Sequence, residues 1–183
     1  MRHLRILSYV LGIGILTASC QAPNLGPQIS LNAHELSDFP LDAKTIEIKS
    51  KYEGLTTNIY VNQLMKVTEN WANTHFKTNP SSAGKALIEF DEILGKDTPF
   101  PREKGISTFF TVEQAGKLEA AIALRISIQD STGFSRKYLE VHVNRSQTYP
   151  DKATISEKEK IWTSVMNAIL LALNEKLKEA MGG

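Results

Sequence analysis

Leu118-Glu119-Ala120-Ala121-Ile122-Ala123-Leu124-Arg125-Ile126-Ser127-Ile128 is the stretch that decides the fold. Leu118, Ala120, Ile122, Leu124, Ile126 and Ile128 recur at every second position. Glu119, Arg125 and then Gln129 fall on the other side. A helix would scatter those six apolar side chains around its axis, whereas a strand gathers them on one face. The spacing therefore predicts a long strand with one buried face. Asp130-Ser131-Thr132-Gly133 follows and carries turn chemistry. From about Arg136 to Arg145 the alternation resumes, with Leu139, Val141 and Val143 inward. The two segments are expected to pair as an antiparallel hairpin.

Toward the C-terminus, Tyr149-Pro150-Asp151 closes the sheet. Ser156 and Glu159 have the spacing of a capping box, with Thr154 and Glu157 as an alternative. Trp162, Val165, Ile169, Leu173 and Leu177 then recur at helical spacing, joined by Ile161, Met166, Ala172 and Met181. Gly182-Gly183 ends this helix, and Lys176 and Lys178 suit the negative end of its dipole.

Toward the N-terminus, Lys85 to Ile93 reads as a strand with Ala86, Ile88 and Phe90 on one face. Before it, Tyr60, Leu64, Val67, Trp71 and then His75 or Phe76 mark a helix. Asn58 or Asn62 is the expected cap, and Pro80 the stop. Thr45 to Tyr52 alternates again, with Ile46, Ile48 and Tyr52 opposite Glu47, Lys49 and Lys51. Gly95 to Lys117 reads as a long loop, with a single helical turn at Thr111-Val112-Glu113-Gln114. The element order is strand, helix, strand, strand, strand, helix. Elements with one apolar face each are buried most economically in two layers. The expected fold is α+β: a two-layer sandwich of a four-stranded sheet with both helices packed on one face. The other face is expected to be solvated or used for binding.

The first twenty residues have a different logic. Arg2, His3 and Arg5 precede an apolar run from Ile6 to Leu16, and small residues lead to Cys20, the single cysteine. This is the order of a secretory signal peptide, and the run is shorter than the roughly 20 residues of a membrane span. With no second cysteine, Cys20 has no disulfide partner within a monomer. From Gln21 to about Ala43 the chain is rich in Pro, Asn, Gly and Ser and has no sustained period, so it reads as a tether with Leu36 and Phe39 free to pack on the domain edge. The expected division is 1–19 signal peptide, 20–43 lipidated N-terminus and tether, and 44–183 a single domain. Removing 19 of the 183 residues leaves 164, which suits one core. Loss of Arg2 and Arg5 takes 21 basic residues to 19 against 20 acidic ones, so no basic field exists to gather nucleic acid.

Catalytic motifs are missing. His34, His75 and His142 have no ligand spacing, so neither a metal nor another cofactor is expected. Asp91 and Glu92 adjoin on a strand, which sends their side chains to opposite faces and rules them out as a paired acid and base. Trp71 and Trp162 fall on apolar stripes and read as core. The long loop concentrates Phe100, Phe109 and Phe110 among prolines and charges. Those three are candidate partner-binding residues, set against a role in covering one end of the sheet.

Leu16-Thr17-Ala18-Ser19-Cys20 resembles the lipobox of bacterial lipoproteins. Thr17 replaces the Leu or Val more often found there. The resemblance implies that Cys20 is lipidated and becomes the new N-terminus. Gln21, rather than Asp, implies sorting to the outer membrane, facing the periplasm. Beyond the lipobox, Leu118 to Met181 resembles the LPS-assembly lipoproteins and the auxiliary lipoproteins of lipid-transporting ABC systems, with Val143-Asn144-Arg145-Ser146 ending the second strand of the hairpin. The Trp- or Tyr-rich segment that follows the cysteine in LPS-assembly lipoproteins is absent. Trp71-Ala72, Thr111-x-Glu113-Gln114 and Trp162 are similar to features of a group of Gram-negative envelope lipoproteins. The implied protein is not an enzyme. It is held on the membrane through Cys20 and acts as an accessory or scaffold for an envelope protein partner, in outer-membrane lipid or LPS transport. The alternative is a periplasmic module that binds a lipid or small amphiphile.

Overall fold

The computed structural model describes residues 36–51, 57–101 and 114–182. The elements run β1 (Phe39–Pro40), β2 (Thr45–Ser50), α1 (Ile59–His75), β3 (Phe76–Lys77), β4 (Lys85–Pro99), β5 (Gln114–Gln129), β6 (Ser135–Pro150) and α2 (Ile155–Ala180). Four strands form one open mixed sheet in the order β2-β4-β5-β6. β2 pairs with β4 in parallel, joined through α1, and the other two pairings are antiparallel. The expected α+β architecture is the one observed.

β5 is central because it can be buried on both sides. Leu118, Ala120, Ile122, Leu124 and Ile126 are at most 4% exposed on the helix side. They meet Leu64, Trp71, Trp162, Ile169 and Leu173 of the two helices in one core. Both helices therefore cover the same sheet face, where apolar area leaves water. Trp162 meets Tyr60 edge to face, with ring centroids 5.0 Å apart, and this joins the two helices.

Close backbone approach fixes where α1 lands. A Cβ placed on Gly95 would stand 2.6 Å from the Tyr60 carbonyl carbon. Only glycine lets the first turn of α1 rest on β4 at that distance. Asn58 completes the junction. Its side-chain oxygen accepts from the Tyr60 and Val61 amides at 2.9 and 3.3 Å, and its Nδ2 donates to the Gly95 carbonyl at 3.2 Å.

Several boundaries differ from the sequence expectation. The domain packs from Leu36 onward, ahead of residue 44. Phe39, Leu41 and Ala43 are buried, and Ser37 N–H donates to the Asn174 side chain at 2.9 Å. α1 ends at His75, before Pro80, because Phe76 takes an extended backbone and packs into the core on Phe39 and Trp71. β4 runs to Pro99 rather than stopping at Ile93, and β6 runs to Pro150. The capping box of α2 is Thr154 with Glu157, not Ser156 with Glu159. An early start places Lys158 on the helix facing Asp97, which it reaches at 3.0 Å. Tyr52, and Thr111 to Glu113 of the expected helical turn, lie outside the described residues, and Gln114 opens β5.

Candidate functional surface

The sheet face away from the helices is a network of charges. Asp91 lies opposite a register shift between Phe90 and Glu92, where β4 carries one residue more than β5. Core burial accordingly steps from Phe90 to Ile93, and Asp91 and Glu92 both turn to the outer face. This corrects the expectation that their side chains point oppositely. They nevertheless form no acid–base pair, because each is engaged elsewhere. Asp91 binds Lys51 and lies 2.9 Å from Arg125, while Glu92 lies 3.0 Å from His142 Nε2. Arg125 also stacks over Tyr138, 5.7 Å from the ring centroid, and Tyr138 donates to Glu140. Opposite charges in adjacent register positions stabilise this face.

A second polar cluster ties β4, β6 and α2 together at the other end of the sheet. Tyr149 O–H donates to Asp97 Oδ1 at 2.6 Å and Lys158 donates to Oδ2 at 3.0 Å. The Lys158 ammonium stands 3.9 Å from the Tyr149 ring centroid. Tyr149 lies across Gly116, where a Cβ would sit 2.3 Å from its hydroxyl oxygen. Burial first, and then the bond to Asp97, push the Tyr149 hydroxyl up from its ordinary value. Burial works against the Lys158 charge, but the bonds to Asp97 and Tyr149 outweigh it and hold the ammonium above its usual range. A phenol kept protonated and an ammonium kept charged are poor bases and nucleophiles, and together with Asp97 they clasp β4, β6 and α2.

Among the described residues no three His, Cys, Asp or Glu side chains converge. His75 sits 3.3 Å from Asp38 and His142 pairs with Glu92. Among the described residues no helix is long and apolar enough to cross a membrane.

Phe100 stands at the base of the β4–β5 connection, half-buried, with its N–H donating to the Ala115 carbonyl at 2.8 Å. Phe109, Phe110 and Cys20 lie outside the described residues. The structure adds two surfaces whose position the sequence does not locate. One is the outer edge of the 16-residue β6, which pairs only with β5 among the described strands. It borders a groove of about 330 Å³ where Val141 and His142 face Lys176 and Glu179 of α2. The other is a cleft of about 520 Å³ between the sheet and the end of α2. The length of β6 beyond Arg145 was the signal for the first, since Gln147 and Tyr149 continue its alternation. Nothing local signals the second, which arises where elements far apart in sequence meet.

No protein-family model and no curated protein matches the chain. Among solved structures it is similar to a minor lipoprotein from Acinetobacter baumannii, with TM-score 0.39 and 10% identity over 74% of this chain and 88% of that one. A candidate lipoprotein from Caulobacter crescentus gives TM-score 0.36 and 14% identity over 78% and 93%. The rare lipoprotein B of Shewanella oneidensis gives TM-score 0.32 and 7% identity over 74% and 97%. With each TM-score below 0.5, no functional residue carries over from them.

Proposed function

We infer that this chain is a lipid-anchored envelope protein, fixed to the membrane through Cys20, that works by contact rather than by catalysis. The observation that carries the reading is the Leu16-to-Cys20 segment behind a basic start and an apolar run. Each buried methylene contributes about 0.8 kcal/mol, so several acyl chains amount to a lasting anchor. The domain behind that anchor offers the outer edge of β6, which pairs with no further strand among the described residues. A strand edge with open N–H and C=O groups can accept a strand from a partner, and a groove beside a helix gives that strand a seat. Phe100, Phe109 and Phe110 are a second candidate contact. Gln21 after the cysteine favours the outer membrane, and an accessory role in lipid or LPS transport fits such a protein.

The test places a photo-crosslinking residue at Asn144, on β6, in the full chain in intact cells. Crosslinks to one envelope protein, absent when the same residue replaces Lys49 on the opposite edge strand, support the reading. A chain recovered uncrosslinked from both positions, or soluble after cell lysis, overturns it.

A further inference from the structure

We propose that the cleft between the sheet and the end of α2 takes the acyl chain of a zwitterionic single-chain phospholipid, with Lys137 holding its phosphate and Asp42 its ammonium. The site is separate from the β6 edge groove and does not depend on the contact role inferred above.

The cleft is walled by Leu41, Ile126, Ile128, Leu139 and Met181. These come from the segment after β1, from β5, from β6 and from the residue that caps α2. Its volume of about 520 Å³ lies within the roughly 300–1,000 Å³ of small-molecule sites. An apolar wall rewards a hydrocarbon chain by removing apolar area from water. Met181 is 38% exposed at the mouth, a flexible thioether suited to a chain of variable shape.

The head group is chosen by charge. Lys137 and Asp42 both line the cleft, both are exposed, and neither has an ion-pair partner among the described residues. They are not within ion-pairing distance of each other. A fatty acid would satisfy Lys137 but bring its carboxylate toward Asp42. A cationic amphiphile would meet the reverse difficulty, and a neutral one would leave both charges unmatched. A phosphate and an ammonium on one head group match both.

The experiment uses the full chain reconstituted in phosphatidylglycerol vesicles. The probe is lysophosphatidylethanolamine with a diazirine in its acyl chain, and labelled peptides are mapped by mass spectrometry. Labelling is expected on the β5 and β6 peptides bearing Ile126, Ile128 and Leu139 and on the C-terminal peptide bearing Met181. Excess unlabelled lysophosphatidylethanolamine should compete it away. Lys137→Glu should cut the labelling at least about tenfold, a 1.4 kcal/mol effect, while Lys137→Arg retains it. Lys137 is exposed, so neither variant threatens the fold. Labelling spread evenly over the chain, insensitivity to competitor, or an unchanged Lys137→Glu overturns the proposal. A matched fatty-acid or lysophosphatidylglycerol probe that labels the cleft equally well would overturn the zwitterionic assignment.

Discussion

Glu92 of β4 and His142 of β6 meet 3.0 Å apart although a whole strand lies between them. The residue in the same register on β5 is Ala123, paired with Glu92 on one side and His142 on the other. The pair closes over its methyl group, which is why Ala123 is only 8% exposed on the outer face. A larger side chain at 123 would hold the two apart. A double-mutant cycle on Glu92 and His142 is expected to give a coupling below about 1 kcal/mol, as for other exposed pairs. In an Ala123→Leu background the coupling should vanish. A coupling that survives there would show that the two residues do not meet across the alanine.

Gly95 is expected to be among the least replaceable residues. Gly95→Ala forces a methyl group against the Tyr60 backbone, which cannot move without lifting α1 from the sheet. Overpacking of this kind costs about 1–3 kcal/mol. Gly133, with φ +88° and open space around its Cβ position, should respond to alanine through its backbone conformation alone. Urea midpoints for the two variants check this, and equal midpoints for Gly95→Ala and the parent chain would refute the close approach.

The clasp around Asp97 predicts loss of stability in alkali. The folded state holds the Tyr149 and Tyr60 protons more tightly than the unfolded chain, whose tyrosines titrate near 10.0. Lys158 shifts in the same direction from 10.5. Stability is therefore complete below about pH 10 and declines as pH rises toward the folded values. Tyr149→Phe should flatten that decline and cost about 1 kcal/mol at neutral pH, since Asp97 loses one donor. Thermal melts from pH 7 to 11 read both effects, and an identical slope for the variant would remove Tyr149 from the account.

The parts of the fold legible in the sequence are those in which one face alternates or repeats without interruption. Leu118 to Ile128 and Trp162 to Leu177 are such segments, and each lies where its period places it. β4 is longer than its sequence period shows, because the extra residue at Asp91 shifts the alternation from Phe90 to Ile93 and a single period fails there. Ala121 and Ala123 carry no sequence sign of lying on the outer face, because alanine does not show which way it points. The turn after β5 was legible through Gly133, but not its consequence. Asp130 accepts from the Thr132 and Phe134 amides at 2.8 and 3.2 Å and holds Phe134 outward, 75% exposed. The cleft and the β6 edge depend on which strand stands outermost, and strand order is not written in any local pattern.

Lipid attachment at Cys20 is tested most directly by intact-mass and peptide analysis of the mature chain isolated from its own membranes. The account predicts an N-terminal peptide that begins at Cys20 and carries acyl groups. A peptide that begins at Met1, or a Cys20 with no acyl mass, would contradict it.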